Sequence, residues 1–136
     1  MRERSFFYYD VLDSTMQEYQ RLKDHHKGLM SIRCGEQDDG VGRDKHIWLS
    51  PRGGLWFTFD IKYSGFVPSF GLFTGYCVHR ELCRLFSPLG DKLQIKWTND
   101  IIYDGKKLGG LLCKSHPGTY TIGIGLNTNN EIDSAL

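Results

Sequence analysis

Apolar positions in this chain follow period two in some stretches and helical spacing in others, and the switches mark its elements. Phe6 to Leu12 is aromatic and apolar and predicts a first strand. Asp13-Ser14-Thr15 breaks it. Thr15 and Glu18 have the spacing of a capping box, which places Thr15 at the N-cap of a helix. Met16, Tyr19 and Leu22 then share one face of a helix of about two or three turns ending near Lys23. Leu29 to Cys34 predicts a second strand. Gly35 to His46, GEQDDGVGRDKH, has three glycines and almost no apolar content, which predicts a mobile surface loop. Ile47 to Ser50 predicts a short strand, Pro51 to Gly54 a turn, and Leu55 to Tyr63 another strand. Pro68 suits the start of a helix, in which Phe70, Phe73, Cys77, Leu82 and Leu85 are spaced, with one irregular step, for a buried face through about Phe86. Ser87 to Gly90 stops it.

The second half is a run of strands. Leu93 to Trp97 alternates, Thr98, Asn99 and Asp100 form a polar knot, and Ile101 to Tyr103 runs into Asp104-Gly105. Asp-Gly between β-rich runs predicts a type I′ hairpin, whose two central residues need positive φ. The returning strand carries Lys106, Lys107, Leu108, Gly109, Gly110, Leu111 and Leu112. His116-Pro117-Gly118 makes a turn, and Thr119 to Leu126 predicts the last strand. The order implies an α/β (α+β) domain with a mixed, mainly antiparallel sheet and helices packed on it. No repeat, linker or low-complexity tract interrupts it, so residues 1–136 form a single domain.

Composition adds exclusions. The chain is 40% hydrophobic and 24% charged with net charge +1, so its totals call for neither nucleic acid nor a membrane surface. No apolar run approaches the roughly 18 residues of a membrane helix, and Met1 to Ser5 lacks the apolar core of a signal peptide. The four cysteines show no CxxC and no zinc spacing, which predicts reduced thiols and a cytoplasmic protein. A catalytic cysteine would need a base close in space.

Two stretches carry candidate chemistry. Paired glycines inside a strand mark close approach of a ligand or another backbone, or a β-bulge. A lysine beside them, facing Asn99 and Asp100 across the hairpin, suits an anionic ligand, although surface hairpins also carry lysines. Gly40-Val41-Gly42-Arg43 lets main-chain N–H groups approach an anion with Arg43 alongside. It is neither a P-loop nor a dinucleotide fingerprint. Ser14 and Thr15 either cap a helix or line a ligand pocket at its N-terminus. Trp48 reads as core or as an apolar pocket wall.

Four segments, in order, resemble the catalytic domain of biotin protein ligases, in the superfamily shared with lipoate ligases and octanoyltransferases. Asp13-Ser14-Thr15 resembles the DST motif. Gln37 with Gly40 to Arg43 and Trp48-Leu49-Ser50-Pro51 resembles Q-x-x-G-R-G-R-x-G-R-x-W-x-S-P. Lys96 to Asp100 with Lys106 to Gly110 resembles KWPND followed by K-K-L-x-G, and Gly123 to Asn127 resembles G-I-G-I-N. Val41 replaces the first loop arginine, Lys45 and His46 replace the later Gly-Arg, Met16 replaces Asn, and Thr98 replaces Pro. The family's usual C-terminal part and the DNA-binding domain of its bifunctional members are expected to be missing.

The resemblance implies a class II aminoacyl-tRNA synthetase-like fold and a ligase. Biotin and ATP would form biotinyl-AMP, and a lysine of a biotin carboxyl carrier protein would take the acyl group. It implies Lys107, Arg43 and Asp100 as catalytic residues. Lys107 would lie against carboxylate and phosphate, and Arg43 would hold the phosphate or cover the adenylate. Ser14, Thr15, Gln37, Gly40, Gly42, Gly110, Gly125 and Asn127 would bind biotin or nucleotide, Trp48 would shield the intermediate, and Asn99 and Asp100 would together serve the metal–phosphate region and the incoming lysine, with the roles undivided between them. Mg2+ would ride on ATP, with no direct protein ligand. The glycine loop would act as a lid. A homodimer stays open. A lipoate-type ligase or acyltransferase, or a non-catalytic biotin-binding module, is the alternative.

Overall fold

The computed structural model describes residues 3–132. Seven strands form one sheet: β1 (Arg4–Leu12), β2 (Leu29–Gln37), β3 (Leu55–Lys62), β4 (Leu93–Lys96), β5 (Asp100–Tyr103), β6 (Lys106–His116) and β7 (Thr119–Leu126). Their spatial order is β1-β2-β3-β7-β6-β5-β4. β1 and β2 are parallel, joined through helix α1 (Thr15–Leu22), and every other pair is antiparallel. The mixed, mainly antiparallel sheet expected from the sequence is present. Helix α2 (Phe70–Leu85) connects β3 to β4, and short 3-10 turns lie at Arg43–Lys45 and Ser87–Lys92.

Each helix covers one face. On the α1 face, Tyr19 packs with Met30 and Ile32, and Trp56, Thr58 and Asp60 of β3 are fully buried. Asp60 accepts from the Met30 amide at 2.7 Å and from the Tyr19 hydroxyl at 3.1 Å, which ties helix to sheet. A buried carboxylate is tolerated when hydrogen-bonded in this way. On the other face, Tyr120, Ile122, Ile124 and Leu126 alternate inward along β7 and meet Leu93, Ile101 and Leu111, with Phe70, Val78 and Leu82 of α2 above them. By period two, Thr121, Gly123 and Gly125 point to the α1 side.

Four expectations need correction. The N-cap of α1 is Ser14, not Thr15: Ser14 is extended and its hydroxyl accepts from the Met16 amide at 3.2 Å. Glu18 takes no part in a capping box, because its carboxylate is engaged by Tyr9 and Arg21. The irregular segment is shorter than its composition suggests, since Gly35, Glu36 and Gln37 continue β2 beside β1. Residues 47–50 form no strand, only the single bridges Val41↔Ile47 and Gln37↔Ser50. The buried face of α2 is rotated: Phe73 and Leu85 are exposed, and Thr74 and Gly75 face inward. Phe70, Val78 and Leu82 pack on the sheet beside them, while Phe73 and Leu85 point away from it. The hairpin is as expected, with φ of 48° at Asp104 and 77° at Gly105. No helix among the described residues is long and apolar enough to cross a membrane.

Candidate functional site

A cavity of about 250 Å³ opens between the N-terminus of α1, the glycine loop and strands β5, β6 and β7. Its floor is the pairing of Gly110 with Gly125 across β6 and β7, followed by Leu112 with Gly123. The Trp48 indole lies on this floor: a Cβ on Gly125 would stand 2.5 Å from its ring nitrogen, and one on Gly110 would touch the ring edge at 3.4 Å. Only residues without a side chain admit an aromatic ring this close to a strand. The indole N–H of Trp48 is buried without a partner.

Lys107 reaches the same face through a break in strand period. Ile101 pairs with Gly109 but Ile102 pairs with Lys107, so Leu108 is the extra residue of a β-bulge. Leu108 packs on the α2 side with the core, and Lys107 turns to the cavity. Its Nζ lies 3.1 Å from Asp100 Oδ1 and 4.9 Å from the centre of the Trp48 ring. A cation held between a carboxylate and an aromatic face is oriented but still exchangeable with an incoming anion. Lys106 is exposed and lies outside the cavity lining.

A polar wall stands opposite. The Thr15 amide and hydroxyl both donate to Gln37 Oε1, at 2.9 and 3.2 Å, and Gln37 Nε2 donates to Ser50 Oγ at 2.7 Å. Thr15 and Thr58 hydroxyls are 2.8 Å apart. This network fixes the amide of Gln37 at the end of β2. Beside it, the Arg21 guanidinium holds the Asp13 carboxyl below the usual carboxylate range.

The loop over the cavity is closed by its own main chain. Gln37 N donates to Ser50 O at 3.0 Å, Trp48 N to Gly40 O at 2.8 Å and Gly42 N to His46 O at 2.7 Å. Arg43 extends from it, donates to the Thr98 hydroxyl and lies 3.4 Å from Asp44. Asn99 is clasped to β6 twice, by Leu111 N to its carbonyl at 2.9 Å and from its side chain to Leu111 O at 2.8 Å. Two cations and a polar wall around an apolar floor suit an elongated ligand with an anionic end.

Residues 8–129 match the biotin/lipoate A/B protein ligase family. The chain belongs to that family. It is 32% identical over 101 residues to biotin–protein ligase 2 of Arabidopsis thaliana, covering 68% of this chain and 31% of the relative. Biotin protein ligase from Leishmania major, solved with biotinyl-5-AMP, superposes with a TM-score of 0.77 at 28% identity, covering 92% of this chain and 57% of the other. The Aquifex aeolicus enzyme, solved with biotin and ATP, gives 0.78 at 27% identity, over 96% and 56%. The chain thus spans about a third of the plant relative and a little over half of each solved chain.

Against the family's motifs, the cavity gathers Ser14, Thr15, Gln37, Gly42, Arg43, Trp48, Asn99, Asp100, Lys107, Gly110 and Gly125. Gly40 and Asn127 stand outside the lining. A Cβ on Gly40 would lie 2.2 Å from Trp48 O, so this glycine lets the loop close on itself. The Asn127 amide donates to Leu108 O at 2.7 Å, which braces the bulge. Sequence reasoning missed Met16, Gly123, Leu112 and His46, all on the lining. Period two gives Gly123 from Gly125 and Leu112 from Gly110. Met16, buried against Gly123, reads as an ordinary core residue of α1. Burial pushes the Cys34 thiol up to about 11 and raises that of Cys113, which leaves neither suited to nucleophilic work at neutral pH.

Proposed function

We propose that this cavity activates biotin with ATP and passes it to a protein lysine, the activity of a biotin protein ligase in the cytoplasm. The observation that carries the proposal is Lys107, turned by the bulge into a glycine-floored cavity beside Asp100 and Trp48. Supporting it, relatives named biotin–protein ligase share the fold, and one is solved with biotinyl-5-AMP.

The chemistry follows from the charges. A biotin carboxylate oxygen attacks the α-phosphorus of ATP, the bond to the bridging oxygen breaks, and pyrophosphate leaves. Two anions must meet, so cations at the junction lower the barrier. Lys107 exchanges Asp100 for the carboxylate and the phosphate, and Arg43 takes the phosphate from the loop side. Mg2+ riding on the triphosphate, without a direct protein ligand, would supply charge neutralisation there. Ser14, Thr15 and Gln37 bind the polar end of biotin, and its apolar chain runs over Gly110, Gly123 and Gly125. Asn99 stands beside the phosphates. The Trp48 ring shields the acyl-adenylate from water, and the glycine loop acts as its lid. In the second step the acceptor lysine amine, freed of its proton by Asp100, attacks the acyl carbon and AMP leaves. The acceptor is a biotin carboxyl carrier protein.

Biotin-dependent exchange of pyrophosphate into ATP tests this directly, with lipoate as the competing acid. Exchange with biotin and not with lipoate is expected. Exchange with neither acid, in a chain that still binds biotin, would leave a binding module.

A further inference from the structure

The glycine loop and the β4–β5 turn are 55 residues apart in sequence, and they meet where the Arg43 guanidinium donates to the Thr98 hydroxyl. Arg43 also stands on a boundary. It lines the main cavity and, with Trp97, Thr98 and Leu72, a second cavity of about 320 Å³ on the far side. Its side chain is 57% exposed, and its ion partner within the loop is Asp44, its immediate neighbour, which moves whenever the loop moves. Thr98 is a different kind of anchor. It sits in a turn closed by the Lys96↔Asp100 pair, next to the doubly clasped Asn99. Its hydroxyl has both functions needed, accepting from Arg43 and donating to Asn99 Oδ1 at 3.4 Å. A proline at this position, as in the KWPND pattern, offers neither.

We propose that Thr98 is a positioning residue: its hydroxyl anchors Arg43 at the boundary of the two cavities and holds the glycine loop closed over the adenylate. The anchor itself is a feature of the ligand-free fold. Only its effect on the adenylate rests on the ligase reading above.

The test uses Thr98→Val, which keeps the shape and removes the hydroxyl, and Thr98→Ser, which restores it. Amide hydrogen exchange is followed over residues 40–46 without ligand, and dissociation of pre-formed biotinyl-AMP is followed separately. Thr98→Val is expected to speed both by about five- to tenfold, the scale of one partly exposed charge-assisted hydrogen bond. Thr98→Ser should resemble the wild type in both. Combining Thr98→Val with Arg43→Gln should add nothing further to exchange, since both remove one contact. If Thr98→Val also loosens residues 93–103, the turn itself has been damaged. Arg43→Gln alone must then reproduce the faster exchange over 40–46, or the anchor is wrong. Unchanged exchange in the loop overturns the anchor whatever the enzyme does. Faster exchange with unchanged release overturns its role in holding the adenylate. Faster exchange in a protein that forms no adenylate supports the anchor and refutes the ligase reading.

Discussion

The floor of the cavity and its cover are built on different terms. The floor is strand: the β6–β7 ladder runs from Gly109↔Leu126 to His116↔Thr119 without a break. The cover is a loop held by scattered main-chain bonds, among them Trp48 N to Gly40 O and Gly42 N to His46 O, and by the reach of Arg43 to Thr98. Lys107 and Asp100, which in the proposed reaction would place charge at the reacting centre, stand on the β5–β6 pair that continues this floor. Arg43 and Trp48, which in the proposed reaction would yield as a ligand enters or leaves, belong to the second. A group whose position sets a barrier sits on the rigid side, and a group whose movement sets access sits on the mobile side.

The largest effect should come from the rigid side. Lys107→Ala is expected to lower biotin-dependent adenylation by about 10²–10³. Lys106→Ala should leave it near wild type. The reverse result in pyrophosphate exchange would mean that the bulge does not turn Lys107 into the cavity.

Glycines compare the two regions in stability. A Cβ on Gly109 would lie 2.3 Å from Leu126 Cδ2 and 2.5 Å from Gly125 O, both held by the ladder. Gly109→Ala should therefore cost about 1–3 kcal/mol in urea unfolding. A Cβ on Gly42 would lie 3.3 Å from His46 O, within a loop free to shift. Gly42→Ala should cost less than about 0.5 kcal/mol. Equal costs would erase the contrast between floor and cover.

On the mobile side, Val41 lines the cavity without charge. Val41→Arg adds a cation facing the ligand and should slow release of pre-formed biotinyl-AMP by up to about tenfold. Release at the wild-type rate would show that this part of the loop turns away from the adenylate.

The smallest effect concerns pH. Hydrogen bonding to Arg21 lowers the Asp13 pKa, so its stabilisation is present above the ordinary aspartate value and is lost as pH falls through the depressed one. The pair is partly exposed, which limits the contribution to no more than about 1 kcal/mol. Asp13→Asn should flatten the fall of stability below about pH 4. An unchanged acid limb would show that the pair contributes nothing.

Much of the scaffold was legible because it obeys local rules. The Asp104-Gly105 turn, β3 and β7 announce themselves by turn chemistry and by period. The end of β2 was not, since Gly35, Glu36 and Gln37 look like loop and become strand only because β1 lies alongside. The face of α2 was legible only in part: Phe70 and Leu82 pack on the sheet as expected, and Phe73 and Leu85 turn outward. Within the site, strict alternation puts Lys106 on the face of Gly110, and Lys107 on the opposite one. The K-L-x-G resemblance singled out Lys107, and the bulge at Leu108 is the physical reason it reaches the cavity. Thr98 stood out only as a departure from Pro in the KWPND pattern, and its partner is set by tertiary contact alone.

The three tryptophans give the molecule a built-in optical probe. Trp56 is fully buried in the core and Trp97 is 68% exposed at the hairpin turn, so one emits from an apolar setting and the other from water. Trp48 lies between them in environment, stacked on bare backbone with an ammonium beside its ring. A ligand that draws Lys107 away or lifts the indole off Gly125 changes the surroundings of this chromophore first. With Trp97 replaced by phenylalanine, the intrinsic fluorescence of the chain becomes a direct record of its own occupancy.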